Sequence, residues 1–298
     1  MKILYFDCFS GISGDMTIAS LVDAGGDANY LEEELKKLGI DNEYELKWDK
    51  VIKNGISSTK FDVVLVNDDT EHKHNHGHEH QHTHDHDDHS HDQGHQHTYD
   101  HDHSHDHDHQ HTHDHSHNHD HHHGHTHTHQ HRSYKDIVNL IQSAGFAEQV
   151  QNMALDIFRK IGEAEGRIHG MPLEEVHFHE VGAVDSIIDI VGAAILIHQL
   201  EIDQVQAAPV PVGGGKIHID HGVYPVPAPA TLEILRGVPI AESDLKAELT
   251  TPTGAAIIAV LAEEFGSMPS FKVDTIGYGA GTKTFPNHPN VLRTIIGE

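Results

Sequence analysis

Lys2-Ile-Leu-Tyr-Phe-Asp-Cys-Phe9, then Ser10-Gly-Ile-Ser13, then Gly14-Asp-Met-Thr-Ile-Ala-Ser-Leu-Val-Asp-Ala24 is the stretch whose reading decides the fold. The first part is an apolar run of the right length for one buried strand. The serine-glycine turn, with Ser13 suited to an N-cap, hands it to a helix that stops at Gly25. A strand feeding a helix through a tight turn is the opening unit of an α/β sheet. It sets Asp7 and Asp15 at the carboxyl end of the strand, where open sheets of this kind tend to bind ligands.

Working outward, the pattern predicts a helix over 29–38 that ends at Gly39. Strands near 44–52 and 59–66 follow, joined at Asn54-Gly55, a strong hairpin signal. Helices are predicted near 134–143, 148–165 and 185–199, with an extended stretch over 205–212 leading into Gly213-Gly-Gly215. The proline-rich passage from Tyr224 to Thr231 opens a short helix that stops at Gly237. Thr250-Thr-Pro-Thr253 starts another, expected to reach Phe265, and strands near 271–278 and 291–296 close the sequence. Strands mixed with helices, and at least one antiparallel hairpin, give an α/β fold with a mixed sheet, flanking helices and no internal repeat. Residues 1–70 and 132–298 are expected to form a single domain.

Between them lies an insertion, 71–131, of a different composition. It holds 29 of the 36 histidines, mostly as His-X-His, including His101, His103, His105, His107 and His109 and the run His121, His122, His123. Neutral imidazole suits Ni²⁺, Zn²⁺ and Cu²⁺ and is a poor ligand for Mg²⁺ or Ca²⁺, so the tract points to divalent transition metals. Imidazole alone favours Cu²⁺, so ligand type does not name the ion. With almost no apolar side chains, the segment cannot offset the entropy of ordering and is expected to be disordered without metal.

The formal net charge is −28, of which the tract accounts for the smaller share. The rest is strongly acidic too, which argues against a nucleic-acid partner. Cys8 is the single cysteine, so neither an intrachain disulfide nor a cysteine-based zinc cluster is possible. The opening run reaches Asp7 too early for a signal peptide, and the apolar segment 187–197 is broken by Asp189 and too short for a bilayer. These features lead us to expect a cytoplasmic protein with no membrane partner.

Outside the tract, His177-Phe-His179-Glu180 leads to Asp185 and Asp189. In an extended segment His177 and His179 project to one side. In a helix beginning near Asp185, the two aspartates lie one turn apart on one face and repel unless a cation, a proton or a positive helix end relieves them. The residues leave two readings open. One is a metal site of two imidazoles and carboxylates, which would also permit a zinc-dependent hydrolase; the other is an N-cap, structural histidines and surface charge. A second candidate is the loop bearing Asp7, Ser10, Gly11, Ser13, Gly14 and Asp15, whose helix amides suit a phosphate or carboxylate. A plain capped turn explains that loop nearly as well. Thr251 and Thr253 begin another helix, where ordinary capping with proline in the first turn is the simpler account. Lys216 and His221, in a glycine-rich passage with His218, could meet an anion or simply decorate a surface turn.

Taken together, Asp7–Met16, His177–Asp189 with Ile190-Val-Gly192, His221-Gly-Val-Tyr-Pro-Val-Pro-Ala-Pro-Ala-Thr231, Thr251-Pro-Thr-Gly-Ala255, Gly277-Tyr-Gly-Ala-Gly281 and Pro289-Asn-Val-Leu-Arg293 resemble the LarC family of nickel-insertion proteins. The resemblance covers essentially all of 1–70 and 132–298, and a His-rich insertion is itself typical of that family. It implies insertion of Ni²⁺ into pyridinium-3,5-bisthiocarboxylic acid mononucleotide, with formation of Ni–C and Ni–S bonds in the cofactor used by lactate racemase. It also implies consumption of CTP with the help of Mn²⁺. On that reading the metal residues are His177, His179, Glu180, Asp185, Asp189 and the tract histidines. The loop at 7–15, Lys216, His221, Thr251 and Thr253 would meet the substrate. Family members continue past the Asn-Val-Leu-Arg motif into a C-terminal domain that binds Mn–CTP. This sequence stops five residues after Arg293, so that domain is expected from a second reading frame, from a frameshifted longer product or from a longer form of this chain. A non-enzymatic nickel store or metallochaperone is the alternative, and the sequence leaves a homo-oligomer open.

Overall fold

The computed structural model describes residues 1–66, 132–178, 183–219 and 222–298. The opening strand is β1, Ile3–Asp7, followed by α1, Gly14–Asp23. Helix α2, Ala28–Leu35, runs into a 3-10 turn, Lys36–Leu38, and Gly39 closes it in the left-handed region with φ 68°. The hairpin is β2, Tyr44–Lys53, and β3, Ile56–Leu65. Its turn residues Asn54 and Gly55 both have positive φ, 47° and 84°, as a two-residue turn matching the strand twist requires.

Beyond the insertion come α3, Tyr134–Ser143, α4, Glu148–His169, and α5, Val184–Gln199. Short strands β4, Gln204–Ala207, and β5, Val210–Pro211, precede a separate hairpin of β6, Lys216–Ile219, and β7, Gly222–Pro225. The chain then forms α6, Pro229–Ile234, β8, Ile240–Ala241, α7, Pro252–Leu261, β9, Glu264–Phe265, β10, Val273–Ala280, and β11, Val291–Gly297.

The main sheet has seven strands in the order β2-β3-β10-β11-β1-β4-β9. Strand β1 pairs antiparallel with β11 and parallel with β4. It is therefore central, and Leu4, Tyr5 and Phe6 are all buried, as expected where both faces are covered. Helix α5 is apolar almost all round, with Ile187, Ile188 and every residue from Ile190 to Ile197 buried. Such a helix belongs inside, and it packs between α1 and α4. The fold is thus the mixed α/β class that the sequence predicts.

Two expectations change. The helix predicted to reach Phe265 ends at Leu261, and Glu264–Phe265 instead pair with β4. Glu263 N–H donates to Val205 O and Gly266 N–H to Ala207 O, so an open sheet edge outcompetes a helical pattern that carries no breaker before Gly266. The passage expected as a glycine turn is only the root of the β6–β7 hairpin. Gly214 N–H donates to Ala247 O and Val226 N–H to Gly215 O, closing that root.

Two polar staples matter below. Asp23, at the end of α1, accepts from Tyr278 N–H at 2.8 Å, from Thr59 Oγ1 at 2.7 Å and from Lys50, tying the helix to β10 and to the β2–β3 hairpin. Glu43 gathers both flanks of the insertion. Its carbonyl accepts from Val66 N–H at 3.0 Å, and its carboxylate accepts from Arg132 at 2.7 and 2.8 Å. The expectation of disorder in the tract itself lies outside the described residues.

Candidate functional site

The loop after β1 is stitched to the segment before α7. Ile12 N–H donates to Leu249 O and Thr251 N–H to Ile12 O, each at 3.1 Å. This pairing sets the N-termini of α1 and α7 side by side. The N-terminal half of α5 joins them through a close approach. A Cβ on Gly14 would stand 2.3 Å from Asp189 Oδ2 and 2.5 Å from Asp189 Cβ, so only glycine lets the carboxylate reach the start of α1. There Asp189 accepts a hydrogen bond from Asp15 N–H. This is the favourable place for a negative group on a helix.

The three helix starts open onto a cavity of about 460 Å³. It is lined by Ser13, Gly14 and Asp15 of α1, by Asp185, Ser186 and Asp189 of α5, and by Thr251, Pro252 and Thr253 of α7. Asp62 and Val63 of β3, Ile217, His218 and Ile219 of β6, and Glu248 and Thr282 complete the wall. Thr251 caps α7, its hydroxyl accepting from Gly254 N–H at 3.2 Å. Ser13 stands at the N-cap position of α1, but its hydroxyl donates to the Asp15 carboxylate instead of accepting from the helix.

The electrostatics are lopsided. Lys60 contacts Asp15 at 3.2 Å and also Asp62, with its own side chain largely buried. Burial raises the pKa of Asp185, helped by the charge of Asp15. Burial raises Asp189 well above the ordinary carboxylate range, and the charges of Asp15 and Asp185 add to the shift. Asp189 Oδ1 is fully buried and has no hydrogen-bond partner among the described residues. A buried carboxylate oxygen in that condition is costly unless a proton or a cation meets it.

The structure therefore brings together Ser13, Gly14, Asp15, Asp185, Asp189, Thr251 and Thr253 from the candidates that the sequence offered. It places others elsewhere. Asp7 is bound to Arg293, whose guanidinium lies 6.0 Å from the Phe9 ring centre. Ser10 is buried, bonded to Pro289 O and to His288 Nε2 at 2.6 Å. Gly11 closes the turn through a bond from its N–H to Cys8 O at 2.7 Å. Lys216 is exposed on β6, and His177 is exposed, its backbone bridged to Ser133; neither lines the cavity. Asp185 lies inside the first turn of α5, whose N-cap is Ala183, so its capping role is not the one the sequence suggested. His179, Glu180, His221 and the tract histidines lie outside the described residues. Among the described residues no three of His, Cys, Asp and Glu are grouped to hold a metal ion.

Sequence reasoning missed Lys60, Asp62, Glu248 and Thr282: the register of β3 brings the first two to the site, and the loops before α7 and after β10 bring the others. The motif Gly277-Tyr-Gly-Ala-Gly281 is explained differently. A Cβ on Gly279 would stand 2.0 Å from Met16 O and one on Gly277 2.0 Å from Ser20 O. The glycines let α1 lie directly on β10, which holds the helix start at the cavity.

This architecture defines an α/β protein that presents three helix N-termini and a set of carboxylates to one cavity. The family described as nickel insertion protein matches residues 4–298, and the chain belongs to that family. It is 46% identical to a pyridinium-3,5-bisthiocarboxylic acid mononucleotide nickel insertion protein of Geobacillus kaustophilus, over all of this chain and 60% of that protein. Proteins of the same description from Clostridium kluyveri and Clostridium acetobutylicum are 45% and 47% identical, again over all of this chain and over 62% and 64% of theirs. The chain thus spans less than two thirds of the length of these relatives. No solved structure matches it. No helix among the described residues is long and apolar enough to cross a membrane.

Proposed function

We propose that this chain inserts Ni²⁺ into pyridinium-3,5-bisthiocarboxylic acid mononucleotide, the substrate in its relatives' names. The observation that carries the reading is the single cavity uniting the α1, α5 and α7 N-termini with Asp15, Asp185 and Asp189. The helix starts at Gly14 and Thr253 suit the phosphate of a mononucleotide. Asp185 and Asp189 suit the incoming ion, and the histidine tract, inserted after β3, would collect it. Metal transfer needs the ion held in one place with positions open to the substrate, which a cavity walled by three helix starts provides.

In this reading CTP and Mn²⁺ are held by the further length that the relatives carry. The product passes to lactate racemase or a related nickel-pincer enzyme, in the cytoplasm. The test is reconstitution with the pincer precursor, Ni²⁺, Mn²⁺ and CTP, with and without that further length, read as the mass of the nickel product. Nickel binding with no product under either condition would leave a store or metallochaperone.

A further inference from the structure

The cavity presents Asp15, Asp62, Asp185 and Asp189. No lysine or arginine lines it among the described residues, and Lys60 is already shared between Asp15 and Asp62. Among the described residues Asp185 and Asp189 form no ion pair with a lysine or arginine, Lys60 acting on Asp189 only through space, and the inner oxygen of Asp189 is buried without a hydrogen bond. Against this stands the mononucleotide of the nickel-insertion reading, on which the inference rests. It carries a phosphate and two thiocarboxylates, and its pyridinium nitrogen offsets only one of those charges. Helix N-termini contribute about half a charge each, too little to offset the carboxylates of Asp15, Asp62 and Asp185 facing an anion in one cavity, and the buried Asp189 escapes adding to them only by holding a proton that a cation can replace.

We infer that the cavity accepts the anionic mononucleotide only together with a divalent cation seated between the Asp185–Asp189 pair and the substrate's thiocarboxylates. The ion is then a condition of substrate binding rather than a later arrival. The ligand set agrees with this. Two aspartates one helical turn apart form an incomplete shell, and no third ligand is grouped with them among the described residues. Protein alone holds the ion weakly, substrate alone is repelled, and each completes the site for the other. Thermodynamic reciprocity makes the two enhancements equal.

The experiment is isothermal titration without CTP. The probe is the bis-carboxylate analogue of the precursor, with oxygen in place of each sulfur, and it is added to the full chain either stripped with chelator or saturated with Ni²⁺. The expected result is affinity at least about tenfold higher with the ion, the scale of a coupling worth one unit-charge contact in a partly buried site. The double variant Asp185→Asn/Asp189→Asn, checked by circular dichroism, should bind the probe more tightly than wild type without the ion and lose most of the enhancement. Equal wild-type affinity with and without Ni²⁺ would overturn the inference, and that comparison needs no variant. So would a double variant that keeps the full enhancement, or no probe binding by a preparation that makes the nickel product. A preparation that binds probe only with Ni²⁺ yet yields no product under complete conditions supports the inference and sinks the insertion reading instead.

Discussion

Gly14→Ala tests the geometry of the site through its sign. Replacing glycine by alanine inside an exposed helix stabilises it by about 0.5–1 kcal/mol, because glycine loses more backbone entropy on folding. At position 14 the added methyl would stand 2.3 Å from Asp189 Oδ2 and 2.5 Å from Asp189 Cβ. Overfilling a packed contact costs about 1–3 kcal/mol, which outweighs the propensity gain. Taken at mid-range the net loss is about 1 kcal/mol, and for a domain of this size that is a fall in melting temperature of roughly 2–5 °C, measurable by calorimetry. Asp189→Gly is the right second-site change, since Asp189→Ala would keep the Cβ at 2.5 Å. In the double-mutant cycle the two substitutions should couple by about 1 kcal/mol or more, with the clash relieved. A Gly14→Ala protein that melts at or above wild type, or an additive cycle, would refute the claim that the α1 start and Asp189 are in contact.

Other consequences can be checked separately. Asp23→Asn should destabilise by about 1–3 kcal/mol, because it removes the charged acceptor that Tyr278 N–H, Thr59 and Lys50 share; an unchanged urea midpoint would count against the staple. Burial alone would raise the Asp23 pKa, but its bonds with Lys50, Tyr278 and Thr59 win and lower it. Its stabilisation is therefore full above the unfolded carboxylate pKa of about 3.9 and is lost as pH falls through the lower folded value, so wild type and Asp23→Asn should converge in stability only at acid pH. Deleting 71–131 and joining its flanks with a short flexible linker should cut Ni²⁺ stoichiometry sharply while leaving cooperative unfolding, since Glu43 already holds Val66 and Arg132; loss of the calorimetric transition would show that the tract is structural. Ni²⁺ uptake by the whole chain should weaken as pH falls through about 6.5, the reference imidazole value, and flat uptake across that range would point to carboxylates.

The fold was legible wherever one local rule acted alone. Asn54-Gly55 fixed a hairpin because few other residue pairs enter a turn with two positive φ values. The run 187–197 fixed a central helix because nothing apolar on every side can face water. The rules failed where tertiary pairing competed with local pattern. Glu264 and Phe265 continue a helical period, yet they became an edge strand because β4 offers open hydrogen-bonding groups. Gly277 falls at the end of a predicted strand, and nothing local accounts for the glycines that follow it. In the structure they are a strand stripped of side chains so that a helix can lie on it.

The candidate site divides along the same line. Ser13–Asp15 follow from the strand-end rule, Asp185 and Asp189 from the helical repeat, and Thr251 and Thr253 from helix-start chemistry, all within one element each. What joins them is nonlocal. The bonds between Ile12 and the segment 249–251 set two helix starts together across more than two hundred residues. The parity of β3 then aims Asp62 at the cavity, and a slip of one residue would turn it away. Gly14 shows the limit most plainly. In sequence it is one more glycine after a serine, at the point where a helix begins. Its requirement is set by a carboxylate 175 positions further on, and no spacing pattern along the chain carries that distance.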